Sequence, residues 1–259
     1  MCMDVAHKKH MSESFRLAAL LALVGGFLDA YTYICRGEVF ANAQTGNMVM
    51  LGINFMEGNF RGIINYIIPI IAFAIGVLLA EVIRTKLSKS EKLHWRQAVL
   101  AIEIILLISV AFIPFDYVAN TIISFICAMQ VESFRKFHGN AYATTMCTGN
   151  LRSGTEKLVI FIRNKDKKHL KIAFQYYFII LIFCLGATIG GLITLNMGLK
   201  AVLIAIIPLI LALIESSIFV TDFIVSADTV VKFVVAKAVA IVHDTIFFIY
   251  TSPFFAKYR

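Results

Sequence analysis

The chain has 259 residues, of which 59% are hydrophobic and 15% charged, whereas a soluble domain is usually about 45–50% apolar and about a quarter charged. This excess of apolar residues is too large for one buried core and excludes an ordinary soluble domain, so we expect lipid as the second solvent. The net charge of +8 could indicate nucleic acid, but the basic residues lie in short loops beside apolar runs, as membrane orientation requires, and we expect no nucleic-acid partner.

The five cysteines show neither a CxxC pair nor the spacing of a metal site. They are Cys2, Cys35, Cys127, Cys147 and Cys184. Free cysteine in an apolar run behaves as a small hydrophobic residue. We therefore expect all five to be reduced, and we expect no disulfide framework, no metal and no cofactor.

Six apolar runs are long enough to cross about 30 Å of hydrocarbon, which takes about 20 helical residues. They span 17–35, 62–83, 97–115, 118–135, 172–196 and 200–223. The first run follows basic residues, as a secretory signal does, but it is longer than a signal core, contains Asp29 and lacks a small-x-small cleavage site. We expect it to remain as the first membrane span.

Two further segments, 40–56 and 141–162, are shorter or more polar, and the lysine and arginine counts decide whether they also cross. With six crossings, four segments on the inner side hold 21 of the 24 basic residues, as the positive-inside rule predicts. These segments are 1–16, 84–96, 135–171 and 224–259. Eight crossings would move the five basic residues of 84–96 outside. We therefore expect six crossings, with both termini in the cytoplasm.

An internal repeat at a fixed offset organises the chain. Thr-Gly-Asn occurs at 45–47 and again at 148–150, and the same offset of 103 residues aligns Asp29 with Glu132. A shared register over this length is unlike a chance match of one tripeptide. The sequence therefore predicts two related half-molecules.

Each half, 17–117 and 118–224, contains three crossings. Because three is odd, the second half enters the membrane from the opposite face, which makes the halves an inverted-topology pair. The two Thr-Gly-Asn segments are too short to cross, so each dips in and returns or forms a short helix at the interface. The predicted fold is an all-α polytopic membrane protein with six transmembrane helices, a 3+3 inverted repeat and a re-entrant or short helical Thr-Gly-Asn segment in each half.

The C-terminal segment 225–259 lies outside the repeat. Residues 229–250 are apolar enough for a seventh crossing, but Lys232, Lys237 and Asp244 interrupt them. An amphipathic helix on the inner membrane surface suits these side chains better, and a seventh span is the alternative.

The repeated motif supplies the candidate binding residues. Glycine permits close backbone approach, and Asn or Thr can cap a helix that begins there. A helix start inside the membrane presents unpaired N–H groups and a partial positive charge, and in inverted-repeat transporters two such starts meet near the midplane. The predicted substrate-binding residues are Gln44, Thr45, Gly46, Asn47, Thr148, Gly149, Asn150 and Gln130. The alternative is that both motifs are helix caps that hold tight turns.

Acidic residues inside apolar runs are the candidates for coupling, because an unpaired carboxyl within the membrane is costly. We predict this role, with protons as the coupled ion, for Asp29, Glu132 and Glu215. Each has a structural alternative. Asp29 could cap its own Thr-Gly-Asn segment, Glu132 could pair locally with Arg135, and Glu215 could bond to a Ser or Thr hydroxyl.

An enzyme is not expected. The chain has no nucleophile–histidine–acid spacing, no zinc pattern and no phosphate-binding loop. The short basic loops also leave no room for a soluble catalytic domain.

Three stretches carry a family resemblance. They read GFLDA at 26–30, AQTGNM at 43–48 followed by LG at 51–52, and AMQ at 128–130 leading to TTMCTGNL at 144–151. In these stretches the chain resembles the YoaK-like bacterial membrane proteins, a family of unknown function. The resemblance covers residues 15–224 and implies about six helices in the cytoplasmic membrane, with no established substrate.

The function we predict is a secondary transporter or channel-like carrier of a small solute in the bacterial cytoplasmic membrane. Its site lies between the two halves near the midplane, and an oligomer in the lipid bilayer is compatible with the sequence. An anion pathway without proton coupling is a second form of transport. The alternative of another class is a non-transporting membrane scaffold or sensor. A cavity between the halves favours transport, whereas a solid interface favours the alternative.

Overall fold

The computed structural model describes residues 14–87 and 95–216. Three segments lie outside the described residues: 1–13, 88–94 and 217–259. The predicted surface helix of the C-terminal tail, most of the predicted N-terminal segment and the end of the sixth predicted span therefore fall outside them.

The described part of the chain is mostly helical. In chain order its helices are α1 (Phe15–Cys35), α2 (Gln44–Glu57), α3 (Phe60–Leu87), α4 (Trp95–Val110), α5 (Asp116–Ser133), α6 (Cys147–Asn164), α7 (Lys167–Met197) and α8 (Ile206–Ser216). A hairpin of two short antiparallel strands, β1 (Lys136–Phe137) and β2 (Asn140–Ala141), connects α5 to α6, and a 3-10 helix at Gly198–Ala205 connects α7 to α8.

Three helical stretches are long and apolar enough to cross a membrane: Phe15–Cys35, Phe60–Lys86 and Lys167–Ser216. The helices α4 and α5 contain 16 and 18 residues, which at 1.5 Å per residue gives lengths of about 24 and 27 Å. These lengths fall slightly short of about 30 Å of hydrocarbon. The chain is a helical membrane protein.

Two helix pairs hold the described fold together, α1 with α7 and α3 with α5. Glycines allow the first pair to pack backbone against backbone. A Cβ added at Gly26 would lie 2.0 Å from the carbonyl oxygen of Phe183, and one added at Gly186 would lie 2.1 Å from that of Leu23. In the second pair, a Cβ at Gly76 would lie 2.3 Å from the carbonyl oxygen of Phe125. Small residues at helix contacts replace hydrophobic driving force with close van der Waals packing.

A fully buried arginine fixes the end of α1. The Arg36 guanidinium donates to the Tyr31 hydroxyl at 3.0 Å and to the carbonyl oxygens of Ile113 at 2.8 Å and Val110 at 3.0 Å. It also lies 3.3 Å from a carboxylate oxygen of Asp116. Since all three guanidinium nitrogens have partners, the buried charge joins α1 to the end of α4 and the start of α5.

Candidate functional site

The helices α2 and α6 begin at corresponding positions of the two halves. Their first residues, Gln44 and Cys147, are separated by the 103 residues of the sequence repeat. The preceding residues also adopt similar backbone angles, with φ −80° and ψ 67° at Ala43 and φ −95° and ψ 78° at Met146. Each Thr-Gly-Asn tripeptide therefore forms part of the first turn of a helix.

The asparagine of each motif is a clamp on the loop that precedes its helix. Asn47 accepts the N–H of Phe40 at 3.0 Å and donates to the carbonyl oxygen of Phe40 at 2.6 Å. Asn150 makes the same pair of bonds with Ala143, at 3.2 and 2.7 Å. Both asparagines are almost completely buried, at 0% and 2% exposed. Their amides are thus occupied by the backbone seven residues earlier in both halves.

A cavity of about 630 Å³ lies between the starts of α2 and α6. Residues from both motifs, from α1, from α3 and from α7 line it. They are Asp29, Ala30, Tyr33, Ile34, Phe40, Asn42, Ala43, Gln44, Thr45, Phe73, Thr145, Met146, Cys147, Thr148, Gly149, Phe183 and Ala187. The cavity is therefore shared by the two halves and has a mixed wall of aromatic, aliphatic and polar groups.

The structure brings some of the sequence-predicted residues to this cavity and places the others elsewhere. Those in the wall are Asp29, Gln44, Thr45, Thr148 and Gly149. Those outside it are Gly46, Asn47, Asn150, Gln130, Glu132 and Glu215.

Asp29 is the carboxyl that the structure places at the cavity. It is 6% exposed, and its Oδ1 accepts the backbone N–H of Asn42 at 2.7 Å. Asn42 in turn donates its side-chain N–H to the carbonyl oxygen of Gly25 at 3.0 Å. Asp29 therefore holds the loop before α2, as the structural alternative anticipated, and it also faces the cavity.

Two wall residues that the sequence analysis did not single out occupy corresponding positions. Asn42 and Thr145 are 103 residues apart, 3% and 5% exposed. The Oδ1 of Asn42 and the Oγ1 of Thr145 are buried without a hydrogen-bond partner among the described residues. Buried polar atoms usually have partners, so this pair marks an incompletely satisfied stretch of the wall. The 103-residue register was the signal that could have found it.

The other predicted acids and Gln130 have partners away from the cavity. Gln130 donates to Oε1 of the buried Glu103 at 2.8 Å. Glu132 forms an ion pair with Arg135, three residues later. Glu215 accepts the hydroxyl of Ser14 at 3.0 Å. These contacts join helices or helix ends.

Cys147 is the second titratable wall residue whose state bears on the cavity. Burial raises the pKa of its thiol to about 11, so the thiol is neutral near pH 7 and behaves as a small apolar group. Among the described residues, no group of three or more His, Cys, Asp or Glu side chains could hold a metal ion.

Comparisons with known proteins agree with this description. The family model for a protein of unknown function, DUF1275, matches residues 17–214. The UPF0700 transmembrane protein YoaK of Bacillus subtilis (strain 168) is 28% identical over 187 residues, which cover 68% of this chain and 82% of the relative. No solved structure matches the chain. The resemblance to YoaK-like proteins is thereby confirmed, as is a membrane protein.

Proposed function

The chain belongs to the DUF1275 family of proteins of unknown function, and from this premise we propose that it carries a small solute across the cytoplasmic membrane. The cavity is the observation on which the proposal rests. It is lined by the starts of both repeated helices and by one buried carboxyl, Asp29. A volume of about 630 Å³ lies within the range of about 300–1,000 Å³ that is typical of small-molecule sites.

A 3+3 inverted repeat is the architecture we propose for this carrier. In support, α4 and the 3-10 helix begin 103 residues apart, at Trp95 and Gly198, as α2 and α6 do. Contacts between helices also correspond: α1 packs on α7 as α5 packs on α3, and α2 packs on α3 as α6 packs on α7. With three crossings in each half, the halves would have opposite orientations in the membrane.

The two Thr-Gly-Asn helices would enter this bundle from opposite faces. The 14 residues of α2 give about 21 Å, too short to cross. The lysine and arginine distribution supports a cytoplasmic N-terminus, with α2 approaching from outside and α6 from inside. Two helix starts would then meet at the cavity, which is where inverted-repeat transporters hold their solutes.

Asp29 is the residue to which we assign coupling. It alone among the three predicted coupling acids lines the cavity. Glu132 and Glu215 have partners of their own in Arg135 and Ser14, so the proposal gives them structural roles. Asn47 and Asn150 likewise act as clamps on the segments that line the cavity, and solute contact falls to Gln44, Thr45, Thr148 and Gly149.

The test is uptake of a metabolite mixture by proteoliposomes that contain the full chain, with the trapped solutes identified by mass spectrometry. Gly149→Leu is the blocking variant, because Gly149 lines the cavity and a Cβ there meets nothing within 4 Å. Gly52→Leu is the matched control, since its Cβ also meets nothing within 4 Å and Gly52 is not in the cavity wall. We expect the parent and Gly52→Leu to load a solute and Gly149→Leu not to.

Two results would count against transport. If no solute accumulates beyond protein-free liposomes, the carrier proposal fails. If Gly149→Leu loads as much solute as the parent, the cavity is not the pathway. A solute that binds to the purified protein through the cavity without being taken up would favour the sensor alternative.

A further inference from the structure

The charge of the cavity wall is set by one carboxyl. Among the described residues that line the cavity, Asp29 is the sole carboxyl and none is Lys, Arg or His. Asp29 is 6% exposed and accepts one backbone N–H, from Asn42. A single N–H bond does not replace the hydration of a carboxylate. In its ionised form Asp29 therefore needs a positive partner, and without one it needs a proton.

Aromatic rings surround the rest of the cavity. They belong to Tyr33, Phe40, Phe73 and Phe183. Tyr33 and Phe40 stack with ring centres 4.9 Å apart and planes inclined by 22°. The face of an aromatic ring attracts a cation by about 0.5–2 kcal/mol, most strongly where water is excluded. A wall of rings with one buried carboxyl thus matches a cation with an apolar body.

The start of α6 is the feature that would favour an anion instead. A helix start carries about half a positive charge, and Cys147, Thr148 and Gly149 form the first turn at the cavity. Thr148 and Gly149 are exposed, whereas Asp29 is buried. Solvent screening weakens the exposed partial charge more than the buried full charge. The carboxyl therefore decides the sign of the preferred solute.

We propose that the cavity binds a singly charged organic cation with an apolar body, and that this cation displaces a proton from Asp29. The inference rests on the proposed transport function, because it names the solute class of the same cavity. In the empty site the Asp29 carboxyl holds a proton. When the cation enters, the O–H bond breaks and the proton passes to water, so the site is neutral before and after exchange.

The test uses purified full-length protein and three probes with the same ring and different charge. They are benzyltrimethylammonium, phenylpropionate and phenylalanine, titrated by calorimetry in detergent solution. We expect the fixed cation to bind and the anion and zwitterion to bind more weakly. Asp29→Asn keeps a side-chain oxygen for the N–H of Asn42 but removes the charge, and we expect it to bind the cation at least about tenfold more weakly.

Proton release distinguishes exchange from simple binding. In weak buffer with an indicator dye, the parent should release protons when benzyltrimethylammonium binds, and its affinity for the cation should rise with pH through the acid range. Asp29→Asn should show neither effect, because it has no proton to exchange. A structural role for Asp29 would not produce this difference.

Glu132→Gln is the matched control, because Glu132 corresponds to Asp29 in the repeat but is paired with Arg135 outside the cavity wall. It should bind the cation and release protons as the parent does. Gly149→Leu tests the site independently should Asp29→Asn fail to fold, since it blocks the cavity and leaves the carboxyl. We expect it to lose cation binding.

Several results would overturn the inference: equal cation affinity in the parent and Asp29→Asn, preference for phenylpropionate, no proton release from the parent, or unchanged binding in Gly149→Leu. The uptake experiment separates this failure from failure of transport. Proteoliposomes that load only neutral or anionic solutes would reject the cation and keep the carrier, whereas proteoliposomes that load nothing would reject the carrier.

Discussion

The two Thr-Gly-Asn segments have the same backbone arrangement and different polar surroundings. In both, a buried asparagine clamps the residue seven positions earlier through two hydrogen bonds. The acids that correspond in sequence diverge. Asp29 bonds to the loop before α2 and lines the cavity, while Glu132 pairs with Arg135 outside it. The repeat therefore preserves the scaffold of the two segments but not the chemistry around them.

This difference teaches that a symmetric scaffold can hold an asymmetric site. Clamps of the same geometry place two helix starts on either side of one cavity, whereas a single carboxyl gives that cavity its charge. Sequence symmetry alone would have assigned equal roles to Asp29 and Glu132. Experiments that treat corresponding residues as matched pairs can test where the symmetry holds and where it ends.

The largest difference between the halves is expected at the ends of α1 and α5. Arg36 is buried with four hydrogen-bonded or ion-paired partners, whereas the side chain of Arg135, just after α5, is 49% exposed. Arg36→Met leaves buried acceptors without donors and should cost about 3–5 kcal/mol of unfolding free energy. Arg135→Met removes exposed ion pairs and should cost less than about 1 kcal/mol.

Reversible unfolding of both variants in mixed micelles measures this contrast. Similar losses for Arg36→Met and Arg135→Met would show that the buried guanidinium does not fix the first half more firmly than the exposed pair fixes the second.

The asparagine clamps provide the next largest effect and the strongest test of similarity. Asn47→Ala and Asn150→Ala each leave a backbone N–H and carbonyl without the amide that satisfied them. Each should lose about 1–3 kcal/mol of unfolding free energy, and the two losses should agree within about 1 kcal/mol. The measurement is again unfolding in micelles. A neutral effect for one asparagine and a large effect for the other would end the equivalence of the two segments.

Much of the helical framework could be predicted from the sequence. The apolar run 17–35 corresponds to α1 at Phe15–Cys35, because lipid-facing and buried helix residues are both apolar and their run length survives in the sequence. The starts of α2 and α6 fell within the repeated segments, since the 103-residue register marks corresponding backbone positions.

The partners of the side chains could not be predicted in the same way. Asn47 bonds to the backbone of Phe40, and a backbone group leaves no pattern in the sequence that identifies it. The hairpin of β1 and β2 was also missed, because two strands of two residues each have no detectable alternation. Which of two corresponding acids faces a cavity depends on packing, which the repeat does not encode.

A smaller effect is expected when Glu132 loses its charge. Its partner Arg135 is half exposed, and ion pairs of this kind contribute about 0–1 kcal/mol. Glu132→Gln should therefore change the unfolding free energy by less than about 1 kcal/mol in micelles. Added salt should have little effect on the variant and should narrow its difference from the parent. A loss several times larger would mean that this acid is as firmly built into the second half as Asp29 is into the first.

The smallest effect, and one of opposite sign in the two halves, is expected at Asn42 and Thr145. Asn42→Ala removes the side-chain bond to the carbonyl oxygen of Gly25 and should destabilise the protein by about 1 kcal/mol. Thr145→Val keeps the shape of the side chain and removes a buried hydroxyl without a partner, so it should be neutral or stabilising by up to about 1 kcal/mol. Unfolding in micelles without solute gives both values. If Thr145→Val instead destabilises the empty protein as much as Asn42→Ala does, the hydroxyl has a hydrogen-bond partner such as a cavity water, and the wall is more symmetric than its direct contacts indicate.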